Sequence, residues 1–277
     1  MGKQKHFGKC RICGNERKLT FEHVPLGATY NKSSVKMITL ADYLEADKND
    51  NSLPWDVDVT KGKIYQRGKG DYYLCEKCNN NTGSWYGKYY KEFIDDLMYL
   101  MVQIKDKDYK GVQITIKNMG PLAIYKQVMT MFCDINPGLA SNDPELREYI
   151  LNRYTTSINT KRYRLFMYLM KGGIEKTAGF MAEVRLGEKY PLLLSEIAAF
   201  PVGFVLYLDA QEDFTNPLLT EITSFSECSY ENEGEITLGI NIFENNTWLP
   251  ADFRSKQEIL DTIEKSKVDL AAIFDKS

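Results

Sequence analysis

Four of the six cysteines in this 277-residue chain fall into two matched pairs, Cys10 and Cys13 in CRIC and Cys75 and Cys78 in CEKC. Two thiolates separated by two residues turn around one tetrahedral ion, and two such knuckles complete four ligands at about 2.3 Å. The spacing predicts one shared structural zinc site. An ion closed in by four cysteines has no open position for water, so on its own it supports a fold and performs no reaction. Two further residues stand beside the knuckles: His23, in EHVP after the first, is one of only two histidines, and Asn79 follows the second directly. The question is whether this is a zinc hook alone or a catalytic histidine beside a metal scaffold. Cys133 and Cys228 stand alone in mostly apolar or neutral surroundings and read as core residues. His6 lies in a basic tail and is assigned no role.

The pieces CRIC, EHVP and LCEKCN, in that order, resemble the zinc-stabilised form of the HNH nuclease family, the ββα-metal fold, over about residues 8–90. LCEKCNNNTGSWYG also resembles a group of bacterial HNH-like proteins. The resemblance implies a metal-dependent endonuclease that hydrolyses phosphodiester bonds in DNA, with RNA as the other possible substrate, most naturally in bacterial defence against foreign DNA. His23 matches the family's general base, which takes a proton from the attacking water. Glu22 matches the acidic metal ligand, usually aspartate, and Asn79 the final metal-facing position, with Asn80 and Asn81 as alternatives. Together they imply a catalytic divalent ion, Mg2+ or another hard cation, separate from the structural zinc.

The family's middle asparagine is missing before the second strand, and Asp71 in GDYYLC is the nearest residue that would orient the imidazole. Arg11, Arg17, Lys18, Arg67, Lys69 and Lys77 suit contacts to phosphate, which position nucleic acid without reading its sequence. Trp85, Tyr86, Tyr89 and Tyr90 would either stack on bases or pack the following helix. The alternative reading of the same residues is a non-catalytic zinc-binding module that holds nucleic acid or a protein partner.

These residues need elements to hold them. KLTFEHVP reads as a strand ending at Pro25, and KIYQRGKGDYYLC as a hairpin feeding a strand into Cys75. Between them lies a polar insert, residues 31–65, with its first thirty residues irregular. Trp85, Tyr89, Phe93, Leu97, Leu100 and Ile104 recur at helical steps, predicting a helix that starts near Thr82 or Ser84 and reaches a soft boundary near residue 105. Residues 1–105 are thus expected to form the zinc-containing HNH-like domain and 106–277 a second, α+β domain.

In that second part VQITIKN, RYRLFMYLM, GFMAEVRL, PLLLSEIAAF, VGFVLYLD, ITSFSECSY and EITLGINIF read as strands. PLAIYKQVMTMF, PELREYILNRY and the closing SKQEILDTIEKSKVDLAAIF read as helices. Strands and helices come in runs, which favours α+β with a largely antiparallel sheet over a doubly wound fold. Residues 106–277 contain no histidine. A regulatory, sensing or assembly role is expected of them, including a homodimer or a regulatory partner.

The charge is unevenly spread. Residues 1–90 hold 15 Lys and Arg against 10 Asp and Glu, and the remaining 187 hold 20 against 28. The first third is therefore the better surface for a polyanion. No apolar run approaches the eighteen or so residues that span a bilayer, and the basic amino end has no apolar segment behind it. A cytoplasmic protein without a membrane partner is expected, where paired cysteines point to metal rather than disulfides.

Overall fold

In the computed structural model, residues 6–50, 53–58, 60–184, 191–232 and 234–274 are described. The chain is mixed α+β. Its first sheet has three strands in the order β1-β2-β5: β1 (Phe7–Lys9), β2 (Glu16–His23) and β5 (Gly70–Cys75), both pairings antiparallel. Helix α2 (Glu76–Ile104) leaves β5 without a loop, with Cys75 as its N-cap. The helix therefore begins at the second knuckle, six or more residues before Thr82 and Ser84. Those two hydroxyls do not cap. Thr82 donates to the Cys78 carbonyl and Ser84 to the Asn81 carbonyl, bonds made within a continuing helix.

The insert is less irregular than its composition predicts. β3 (Val35–Met37) precedes helix α1 (Leu40–Asp50), and β4 (Lys63–Tyr65) returns to pair with β3. The hairpin expected within KIYQRGKGDYYLC does not form, because β4 and β5 take different partners. The turn between them is pinned at Gly68, whose φ is +81° and where an added Cβ would lie 2.2 Å from the Asn31 carbonyl oxygen. Only glycine fits there without strain.

The larger sheet runs β6-β12-β7-β10-β9-β8. Its strands are β6 (Gly111–Met119), β7 (Tyr163–Gly173), β8 (Lys176–Glu183), β9 (Leu192–Ala199), β10 (Val202–Leu208) and β12 (Gly234–Asn245), with the short β11 (Thr220–Glu221) against β7. All pairings are antiparallel except β12 with β7. ITSFSECSY, expected as a strand, instead forms a 3-10 turn over Thr223–Glu227. Ile222, Phe225 and Cys228 recur every three residues, the period of that turn.

Three helices complete the fold: α3 (Pro121–Ile135), α4 (Pro144–Leu151) and α5 (Lys256–Phe274). Residues Pro121 to Asp134 of α3 are all buried. The helix comes so close to α2 that a Cβ on Gly120 would stand 2.4 Å from the Tyr89 ring. On β7, Leu165, Met167 and Leu169 face one apolar cluster, while Phe166, Tyr168 and Met170 face another. Strict alternation sends successive side chains to opposite faces, so this strand is buried on both. The first cluster is continuous with Cys10, Ile12, Leu74 and the inner face of α2. No helix among the described residues is long and apolar enough to cross a membrane.

Candidate metal centre and the strand edge beside it

The first knuckle is a tight turn: the Gly14 N–H donates to the Cys10 carbonyl, and the Cys10 N–H to the Asn15 carbonyl. The Arg11 N–H donates to the Tyr73 carbonyl, tying the turn to β5 just before the second knuckle begins. The ligand atoms of Cys10, Cys13, Cys75 and Cys78 consequently lie within 4.8 Å of one another. Cys13 Sγ and Cys75 Sγ are 3.9 Å apart. Four sulfurs at about 2.3 Å around a tetrahedral ion would be about 3.8 Å apart, so the spacing fits a metal such as zinc.

The electrostatics suit the same occupant. The neighbouring Cys78 thiol holds Cys10 well below the usual thiol range despite the opposing effect of burial, and Cys78 is pushed far up in return. Burial pushes Cys13 up as well. The cluster thus concentrates sulfur donors where further thiolates need a cation to offset their mutual repulsion.

Alternation along β2 divides the two residues of the EH pair. Glu22 shares a face with Thr20, toward the start of α2. There the Asn79 amide donates to the Thr20 hydroxyl at 3.0 Å and to the Glu22 carboxylate. Burial raises Glu22 to about 7, with the Asn79 hydrogen bond opposing the rise. His23 takes the face of Phe21, whose ring centroid is 5.0 Å away. His23 Nε2 lies 2.8 Å from the Arg67 carbonyl oxygen. A carbonyl only accepts, so Nε2 carries the proton and Nδ1 holds the basic lone pair.

Asp71 stands opposite Glu22 in the β2–β5 register, and its carboxylate accepts from the Tyr72 N–H. Among the described residues no hydrogen bond joins it to His23. The group that fixes the imidazole is a backbone carbonyl, held in place through a residue that carried no signal in the sequence. Asn31 donates to the Pro25 and Lys69 carbonyls, at 2.6 and 2.8 Å, and accepts from the Lys69 N–H at 2.7 Å. It thereby braces the turn carrying Arg67 against the end of β2. A second unsignalled residue is Asp134 on α3, 1% exposed, whose carboxyl is pushed well above the usual range chiefly by burial.

The basic residues do not form one patch. Arg17, Lys18 and Lys77 are exposed and, with Cys75, Glu76 and Asn80, line an open groove of about 510 Å³ at the start of α2. The Arg11 guanidinium sits over the Tyr73 ring at 5.9 Å. Arg67 is exposed on the turn beside His23, whereas Lys69 is pulled down to about 8 by burial. Tyr86 and Tyr90 are buried and cannot stack on bases, and the Tyr86 hydroxyl donates to the Ile150 carbonyl at 2.8 Å. Cys133 is buried in α3 and Cys228 half-buried after the 3-10 turn.

No protein-family model matches the chain, and no match was found among the curated proteins or the solved structures.

Proposed function

We propose that the chain is a metal-dependent endonuclease of the HNH type, acting on DNA, with zinc in the four-cysteine site as a structural ion. One observation carries this reading. Beside a four-thiol cluster, an antiparallel strand pair runs directly into a helix; Glu22 faces Asn79 at the start of that helix, and His23, the last residue of β2, faces the other way with Nε2 on the Arg67 carbonyl.

In this reading His23 Nδ1 takes the proton from a water attacking the phosphodiester. The bond from Nε2–H to the Arg67 carbonyl keeps the ring in the tautomer needed and strengthens as the ring becomes an imidazolium. Asn31 preserves that geometry by holding the turn. Glu22 and Asn79, on the face of β2 opposite His23, would hold a hard divalent ion that offsets charge on the phosphate and on the leaving 3′ oxygen, which requires the substrate to pass around the end of the strand at His23. Arg17, Lys18 and Lys77 would hold neighbouring phosphates of the strand without selecting a base.

The test is cleavage of supercoiled plasmid by the full chain with Mg2+ or Mn2+, beside His23→Ala. Loss of the base is expected to slow cleavage by about 100-fold or more. Equal cleavage by both proteins would remove His23 from the mechanism. Binding without cleavage of either DNA or RNA would replace the nuclease with a nucleic-acid-binding zinc module.

A further inference from the structure

Of the aromatics in the first half of α2, Tyr86 and Tyr90 are buried, but Trp85 and Tyr89 are only half-buried. What stands against them comes from later in the chain. The Tyr230 hydroxyl donates to the Trp85 carbonyl at 2.7 Å, and the Tyr230 ring meets Tyr89 edge-on at 6.0 Å. Tyr154, 55% exposed, meets Tyr230 edge-on at 5.6 Å. The Arg153 guanidinium lies over both rings, 4.7 Å from Tyr154 and 5.4 Å from Tyr230, and donates to the Tyr154 hydroxyl at 2.6 Å. This cluster connects to the basic groove. Lys77, Asn81, Trp85 and Tyr89 follow at four-residue steps, so each stands over the last along one ridge of α2, about 18 Å in length. A cavity of about 230 Å³ bridges the same two places: Arg17 and Lys77, which also line the groove, share its wall with Asn81 and with Leu151, two residues before Arg153. Arg17, Lys18, Lys77 and Arg153 outnumber the acids beside them, Glu76 in the groove and Glu231 near Arg153.

We propose that Arg153, Tyr154 and Tyr230, seated against Trp85 and Tyr89, form a stacking platform for unpaired nucleotides that continues the basic groove at the start of α2 onto the later part of the chain. This deepens the nuclease reading and rests on its phosphate-holding groove. Every base has a π-face that stacks on a tyrosine ring or a guanidinium plane, and a duplex hides that face between neighbouring pairs. The platform therefore takes single-stranded segments, of DNA or RNA, by their unpaired state and not by their sequence. The excess of cations along the path suits the phosphates that join those bases.

The experiment measures binding to the zinc-loaded full chain by fluorescence anisotropy, without Mg2+ or Mn2+. The probes are a labelled thymidine oligonucleotide of about 20 nucleotides, its uridine counterpart and a mixed-sequence DNA duplex of the same length. Wild type is expected to bind at least one of the single strands. Tyr154→Ala is expected to weaken that binding about tenfold and to leave duplex binding within about twofold. Tyr154→Phe keeps the ring and is expected to keep the affinity. Arg153→Gln is expected to weaken single-strand binding and to reduce its dependence on salt. Zinc content and circular dichroism verify that each variant is folded. No binding of either strand by wild type, unchanged affinity in folded Tyr154→Ala or Arg153→Gln, or a Tyr154→Ala loss shared equally by the duplex overturns the proposal. The two readings fail separately. Cleavage dependent on His23 with single-strand binding independent of Tyr154 leaves the nuclease and removes the platform. Single-strand binding that needs the Tyr154 ring, without cleavage of any nucleic acid, leaves the platform and removes the nuclease.

Discussion

Glu22 is drawn out of water by the strand that carries it and the helix it faces, and this has a consequence in pH. Its ordinary value of 4.5 rises to about 7, with burial as the largest cause. Between those values the folded chain holds a proton that the unfolded chain has released, so this residue's contribution to stability falls as pH rises. In zinc-loaded protein free of other divalent ions, the melting temperature is therefore expected to drop across that window more steeply in wild type than in Glu22→Gln. Identical slopes would mean that Glu22 is solvated in solution. Adding a cation that binds the carboxylate reverses the preference, since a bound metal favours the ionised form. His23 shows a different kind of control. One backbone carbonyl accepts from its Nε2–H and so fixes the tautomer of the ring.

At the scale of elements, α2 is the part on which both halves of the edge depend. Cys78 lies in its first turn as one of the four clustered thiols, and Asn79 follows it. Cys78→Ser is accordingly expected to lose zinc and to speed amide exchange over residues 76–83, while the second half of α2, packed on α3, stays protected. Full zinc content with unchanged exchange would show that the cluster does not hold the helix start. The knuckles were legible from their spacing, and the end of β2 from Pro25. The start of α2 was not, because Thr82 and Ser84 look like caps yet bond back into the helix. Strands of three residues, such as β3 and β4, are too short to show a period. Asn31 and Asp134 were invisible for another reason. What defines each is a partner, or the lack of one, far along the chain, and no local pattern records that.

Across the whole molecule, polar groups buried within the larger sheet fix how its outer segments lie. Lys176 Nζ and Glu196 Oε2 are 3.2 Å apart, with both side chains almost wholly buried. Lys176 also donates to the Leu249 carbonyl at 3.0 Å, and Glu196 accepts from the Ala251 N–H at 2.9 Å and the Tyr168 hydroxyl at 2.5 Å. The pair thus fastens residues 249–251 to β8 and β9. Lys176→Met leaves a buried carboxylate without its cation and is expected to destabilise the fold by about 3–5 kcal/mol in denaturant unfolding. A loss below about 1 kcal/mol, the range of exposed pairs, would mean that water reaches the site.

The four-cysteine cluster also has a topological effect. Cys13 and Cys75 are 62 positions apart, and the entire insert lies in the loop that a shared metal would close. In a chain-entropy description, a covalent closure of that length removes about 4 kcal/mol of freedom from the unfolded chain. Once the loop is closed, its length matters little, since doubling it adds only about 0.6 kcal/mol. The stretch between Asn31 and Arg67 is therefore where this chain can gain or shed residues with least strain on the edge that a metal at the four cysteines would secure.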